Sequence, residues 1–142
     1  LVKLKRQKPE FKNLKYKEIL KHLTKLDNSR TDIGLCANNK IFETGTSNLL
    51  FVKNDMVFSP INKFYKGITY KFFRSKIKKI IKKDILINSL KDFDEIILIG
   101  SGKGVASVKT INQIKWKRKS LKFYKILTKH YQSAINKCSN YK

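Results

Sequence analysis

Three short stretches of the chain hold residue types that could do chemistry. IFETGTSNLLFV places one acid, Glu43, among threonine, glycine and serine. Further on, Gly67-Ile68-Thr69 reads as a turn opening a helix, and Gly100-Ser101-Gly102 follows the apolar run EIILI. Either turn could receive a phosphate, because backbone N–H groups at a helix start or in a tight glycine turn point at an anion. Glycine also serves ordinary tight turns, so neither turn is diagnostic by itself. GSGKG fails two better-defined patterns. A Walker loop needs Ser or Thr after Gly-Lys and a glycine five positions before that Gly, where this chain has Gly104 and Ile97. The dinucleotide fingerprint fails as well, since Gly100, Gly102 and Gly104 give GxGxG.

The elements that must position these residues can be read from periodicity. In PEFKNLKYKEILKHLTKL, Pro9 can open a helical run, and Leu14, Ile19, Leu20, Leu23 and Leu26 recur at helical intervals, which predicts a helix over 14–26. DIGLCANNKIFETG reads as a hairpin turning at Asn38-Asn39. SNLLFVKNDMVFSP repeats the device at Asn54-Asp55 and stops at Pro60, so Glu43 falls at the close of one strand beside the start of the next. GITYKFFRSKIKKIIKK predicts a helix with Phe72, Phe73, Ile77, Ile80 and Ile81 facing the core. DEIILIGSGKGVASVKTI gives strand, glycine turn and strand. A last helix over 119–136 is expected to close the domain with Leu121, Tyr124, Ile126, Leu127 and Ile135. Strands and helices without internal repeats make the fold class α/β or α+β, one domain over 1–142.

Composition narrows the function classes. The chain has 142 residues, 41% of them hydrophobic, with 33 Lys+Arg against 10 Asp+Glu and a formal net charge of +23. Such a charge points toward nucleic acid or an anionic surface. The lysines, however, are scattered among Ile, Leu, Phe, Tyr and Asn through every segment, as in a solvated coat, and AT-rich coding alone would give the same excess. No apolar run approaches the length needed to span a bilayer. Cys36 and Cys138 lie far apart with no CxxC and no histidine at metal spacing, which argues for a reducing compartment, the cytoplasm, and against zinc or a disulfide framework. The chain opens on Leu1, so the expectation is that the native amino terminus, with whatever targeting segment it carries, lies upstream.

Taken in order, FKNLKY, IFETGTSNLLFV, SPINKFYKGITYKFF and EIILIGSGKGVASVKTI resemble the carboxyl-terminal large domain of the class IV (fold type IV) pyridoxal-phosphate enzymes. That family includes branched-chain and D-amino acid aminotransferases and 4-amino-4-deoxychorismate lyases. The resemblance implies a β-sheet pseudo-barrel with flanking helices, pyridoxal 5'-phosphate as cofactor, a small-molecule amine substrate and a homodimer, with no specific nucleic acid and no membrane. It further implies that the family's small amino-terminal domain, which holds a phosphate-gripping arginine, is absent from this chain. Glu43 matches the glutamate that keeps the pyridine nitrogen protonated. Lys12 matches the catalytic lysine that binds the cofactor covalently and shuttles a proton, with Asn13 and Lys15 departing from the family's Thr/Ser-Leu-Asn-Tyr segment and Lys15 as competing candidate. Tyr16 resembles the aromatic of that segment. Ile68, Thr69 and Ser101 match the phosphate-holding residues, while Tyr65 and Lys66 stand where leucine and proline are common.

The tail SVKTINQIKWKRKSLKFYKILTKHYQSAI, with Trp116 ahead of the last helix, is more similar to the aminodeoxychorismate lyases, which form 4-aminobenzoate and pyruvate, than to the aminotransferases. A reading of another class is a basic binding module that keeps the fold with incomplete chemistry. The two classes make different forecasts for the lysine coat. A solvated coat binds nucleic acid weakly, without sequence preference, and loses it steeply with salt. A titration at near-physiological salt checks this, and tight sequence-selective binding there would favour the binding module.

Overall fold

Two asparagine-led turns set the frame. Asn38 and Asn39 both have positive φ (50° and 58°), as do Asn54 and Asp55 (49° and 60°). That double left-handed geometry matches the twist of the strands it joins, and Asn and Asp tolerate it better than other side chains do. The structure, a computed structural model, describes residues 1–11 and 16–138.

In chain order the elements are β1 (Val2–Lys3), α1 (Lys17–Leu23), β2 (Gly34–Ala37), β3 (Lys40–Thr44), β4 (Asn48–Lys53), β5 (Met56–Ser59), α2 (Ile68–Lys76), β6 (Ile80–Lys82), β7 (Ile85–Leu86), β8 (Glu95–Gly100), β9 (Gly104–Ser107), β10 (Thr110–Ile111), β11 (Trp116–Lys117) and α3 (Lys122–Lys137). A 3-10 turn over Ile87–Asp92 leads into β8. Four strands form one sheet in the order β1-β2-β3-β7, five form another in the order β6-β5-β4-β8-β9, and β10 and β11 make a small ribbon. Pairing is antiparallel except for β1 on β2 and β6 on β5.

Strand β8, nearly all apolar, is buried on both faces. Ile96 and Leu98 join Cys36, Ile41 and Ile85 of the four-stranded sheet, whereas Ile97 and Ile99 pack with Tyr70 and Phe73 of α2 and Leu127 of α3. The layers therefore run four-stranded sheet, five-stranded sheet, helices. On the far side of the first sheet, Ile19 and Leu23 of α1 cover Ile33 and Leu35. Each such side chain removed from water contributes roughly 1.5–3 kcal/mol.

Three helix expectations need correction. Pro9 sits in a turn closed by Phe11 N–H donating to the Lys8 carbonyl (3.1 Å), and α1 starts only at Lys17; Leu14 of the predicted span lies outside the described residues. The run from Gly67 does not stay helical: α2 ends at Lys76, Ile77 turns extended (φ −87°, ψ 122°), and Ile80 and Ile81 pair with Val57 and Phe58 as β6. Those isoleucines are β-branched, and a parallel edge position on β5 satisfies both their side chains and the strand's backbone groups. In α3, Leu127 is buried, but Ile126 and Ile135 are 40% and 46% exposed and do not reach the core.

The start of α3 is fixed from another element. Glu95 of β8, 1% exposed, accepts the N–H groups of Phe123 (2.9 Å) and Tyr124 (2.9 Å) and the Ser120 hydroxyl (3.0 Å). A buried carboxylate thereby satisfies first-turn donors that would otherwise lack partners and sits at the positive end of the helix. Trp116 is likewise buried, its indole N–H donating to the Phe93 carbonyl (3.1 Å). Cys36 and Cys138 are both free thiols, and burial pushes the Cys36 thiol up to about 11. Among the described residues no helix is long and apolar enough to cross a membrane.

Replacing Glu95 by Gln turns one acceptor oxygen into a donor facing helix N–H groups. The expected cost is about 1–3 kcal/mol, read as a lower urea midpoint. A midpoint unchanged from wild type would show that α3 does not depend on this carboxylate.

Candidate functional site

Glu43 enters the interior through an irregularity in its strand. Leu35 pairs with Glu43 and Cys36 with Ile41, so Phe42 is an extra residue on β3. A bulge of this kind bends the strand and re-aims the side chains beside it. Phe42 joins the helix-side core, and the Glu43 carboxylate is buried at 3% exposure. There Arg6 Nε donates to Glu43 Oε1 at 2.7 Å, and the Tyr65 N–H makes a longer contact to Oε2 at 3.4 Å. The Arg6 guanidinium, buried too, lies 4.5 Å from the centre of the Tyr16 ring. Burial pushes the Glu43 carboxyl above its usual range, and the Arg6 pairing pulls against that push.

Asn48, the first residue of β4, links Glu43's surroundings to α2. Its side chain donates to the Tyr65 carbonyl (2.5 Å) and accepts the Gly67 N–H (3.2 Å). A Cβ on Gly67 would stand 3.2 Å from Asn48 Oδ1, so the close approach favours glycine there. Gly67 caps α2, and Ile68 and Thr69 form its first turn, where backbone N–H groups have no carbonyl one turn earlier to bond. Thr69 is buried and its hydroxyl lies 3.5 Å from that of Ser101. The Ile68 side chain is 77% exposed, so any part it plays in holding an anion is its backbone's.

Ser101 belongs to the turn between β8 and β9, which Gly104 closes at φ +65°, where a side chain would be strained. Gly100 packs against the link between β3 and β4: a Cβ there would meet Ser47 Oγ at 3.2 Å and the Thr46 carbonyl at 3.4 Å. That link is tied down by Asp32, whose Oδ2 accepts the hydroxyls of Thr44 (2.9 Å) and Thr46 (2.5 Å) and pairs with Lys103 Nζ at 3.1 Å.

The structure thus joins Glu43 to Tyr65, Tyr65 and Gly67 to Asn48, and Thr69 to Ser101. Lys12 and its competitor Lys15 lie outside the described residues. Tyr16 stacks on Arg6, Tyr65 is half-buried, and Lys66 is exposed. Sequence reasoning missed Arg6, Asp32, Asn48 and Lys103. Only the acid among them carried a usable signal, since acids are scarce in this chain and a buried one needs partners.

Chemically, two hydroxyls and a helix start can donate to an anion, and the carboxylate still has lone pairs on Oε2 for a cationic N–H donor, because Arg6 is bonded through Oε1. That donor set fits a pyridoxal phosphate, which carries an anion at one end of its ring and a protonated nitrogen at the other.

The comparisons with known proteins bear on the same residues. No curated protein sequence matches the chain. Among solved structures, one provisionally named a 4-amino-4-deoxychorismate lyase from Legionella pneumophila is 18% identical with TM-score 0.77, over 93% of this chain and 53% of that one. A branched-chain aminotransferase from Thermoproteus uzoniensis with norvaline is 16% identical, TM-score 0.72, over 84% and 42%. Another from Thermobaculum terrenum, in its PLP form, is 14% identical, TM-score 0.74, over 91% and 46%. The chain spans about half the length of these proteins, and at such identities the likeness shows the fold, the mixed α+β fold of the fold type IV enzymes. The model of the amino-transferase class IV family matches residues 2–111, most of the chain and every described residue of the site, and the chain belongs to that family.

Proposed function

We propose that this chain is the cofactor-binding part of a homodimeric pyridoxal-phosphate enzyme, and that its reaction is an elimination of the aminodeoxychorismate lyase kind, giving 4-aminobenzoate and pyruvate. The observation that carries the reading is the buried Glu43 carboxylate, in contact with Tyr65 and joined through Asn48 and Gly67 to the Thr69–Ser101 cradle. The preference for elimination rests on the similarity of the segment through Trp116 and α3 to the lyases.

When bound, pyridoxal phosphate supplies an electron sink for the bond that breaks at the amine-bearing carbon. The hydroxyls of Thr69 and Ser101 and the first-turn N–H groups of Ile68 and Thr69 would hold its phosphate. Glu43, through Oε2, would hold a proton on the ring nitrogen. Arg6 favours the ionised form of Glu43 and works against burial, which favours the neutral acid, the form that holds that proton poorly. Lys12 would anchor the cofactor and carry the proton to and from the substrate carbon.

Supplied with 4-amino-4-deoxychorismate, the chain joined to the small amino-terminal domain is expected to release pyruvate, followed by a coupled assay. Amino transfer from a branched-chain amino acid to a keto acid without pyruvate release would replace the lyase reading by the aminotransferase one. A chain that binds no cofactor would leave the basic binding module. Lys12→Ala is expected to abolish turnover while Lys15→Ala retains it, and borohydride reduction followed by peptide mapping is expected to place the pyridoxyl group on Lys12. Finding it on Lys15 would move the assignment there. Glu43→Gln is expected to slow turnover by about a hundredfold or more, on the scale of tenfold per 1.4 kcal/mol.

The ion pair also forecasts a pH dependence. Because the folded Glu43 carboxyl titrates above its ordinary 4.5, the folded state binds that proton more readily than the unfolded chain. Glu43's contribution to stability is then greatest at acid pH and declines as pH rises from 4.5 through the raised value. Arg6→Met removes the opposing charge and widens that window. It is expected to cost about 3–5 kcal/mol near neutral pH, where it leaves a buried carboxylate unpaired, and clearly less once Glu43 is protonated. Equal destabilisation at both ends of a pH series of denaturation curves would contradict this.

A further inference from the structure

Asp32 is the best-satisfied carboxylate outside the pair at Glu43. Its side chain is 5% exposed. Oδ1 accepts the Ile33 N–H (2.8 Å), while Oδ2 takes the Thr44 hydroxyl (2.9 Å), the Thr46 hydroxyl (2.5 Å) and the Lys103 ammonium (3.1 Å). These partners come from two turns. Thr44 ends β3 and Thr46 lies in the link that follows it, and Lys103 belongs to the turn that carries Ser101. The resemblance that pointed to Glu43, Thr69 and Ser101 assigned nothing to Asp32 or Lys103.

The second turn needs an anchor. Three of its five residues, Gly100, Gly102 and Gly104, are glycine, which raises the entropy lost on fixing it. A Cβ on Gly102 would meet nothing within 4 Å, so at that residue the turn has no packing to hold it. Lys103, 26% exposed, ties this turn to Asp32 by an ion pair, shorter than the 3.5 Å contact of Ser101 with Thr69.

We infer that the Asp32–Lys103 ion pair positions the anion cradle, holding the Ser101 turn against the link after Glu43 and neutralising a buried carboxylate that would otherwise face an incoming phosphate. The inference rests on the cofactor reading above. Both parts of the role have a sign. Loss of Lys103 frees the turn and leaves Asp32 as an unpaired negative charge, so a phosphate-bearing ligand suffers more than one without phosphate. Removing the Asp32 charge as well relieves the repulsion and leaves only the looser turn.

Calorimetric titration of the full chain with pyridoxal 5'-phosphate and with pyridoxal, alongside thermal unfolding, tests this. Lys103→Met is expected to weaken pyridoxal 5'-phosphate about tenfold and pyridoxal less than about twofold, a split that a loss of fold would not give. Lys103→Arg, which keeps the charge, is expected to bind close to wild type. The double variant Asp32→Asn/Lys103→Met is expected to bind pyridoxal 5'-phosphate more tightly than Lys103→Met does. Equal weakening of the two ligands, or wild-type affinity in Lys103→Met, would overturn the positioning role while leaving the cofactor reading intact. A wild type that binds neither ligand would overturn the cofactor reading and this inference with it.

Discussion

A carboxylate cannot stay ionised in a protein interior without a partner, and the Arg6–Glu43 pair answers to that constraint. Both side chains are nearly excluded from solvent, and either one left unpaired would be costly. Satisfying them makes several demands on the fold. The start of the chain must lie beside β2 so that Arg6 can reach inward, which the short parallel β1 achieves by pairing Val2 with Leu35 and Lys3 with Cys36. Strand β3 must bulge opposite that same pair of residues. Tyr16 must arrive under the guanidinium just before α1. Pieces of chain distant in sequence are thus committed to one another by two charges.

Around this pair, the candidate site collects at the ends of elements. Glu43 is near the end of β3, Asn48 begins β4, Thr69 is in the first turn of α2, and Ser101 directly follows β8. The strands behind them are filled on both faces by Leu49, Leu50, Phe51, Ile96, Ile97, Leu98 and Ile99. Such strands cannot slide without exposing one face or the other. Turns hung on them inherit fixed positions.

What could be read in advance follows from the range over which sequence patterns act. The Asn38-Asn39 and Asn54-Asp55 hairpins were legible because turn chemistry is local, and the structure shows the left-handed geometry those residues tolerate. The strand–turn–strand around Ser101 was legible for the same reason. Helical periodicity overran at Ile80 and Ile81, because the residues decide between helix and strand only when β5 is there to pair with. Glu43 stood out as an acid in a basic chain. Arg6 did not, being one cation among 33 Lys+Arg, and the contact that gives it meaning spans 37 residues. Asn48 was unreadable for a like reason: its value lies in bridging Tyr65 and Gly67, neither of which is a sequence neighbour.

The scarcity of acids makes their placement informative. Several of the ten sit on the surface beside lysines, as Asp84 does with Lys40 and Asp55 with Lys122. Exposed pairs of this kind contribute little to stability. Three others are buried, and each joins parts of the fold that do not pair through their backbones. Glu95 ties β8 to α3, Asp32 ties the link after β3 to the β8–β9 turn, and Glu43 ties β3 to the amino-terminal arm. Two of these three junctions border the candidate site. A net charge of +23 raises the positive potential over the whole surface and would draw phosphate-bearing molecules without discrimination. Selection among them therefore falls to the few places where negative charge and hydroxyls are held in fixed positions. Glu43, Asp32, Thr69 and Ser101 are held in this way, the acids by their pairs with Arg6 and Lys103 and the two hydroxyls by their contact with each other.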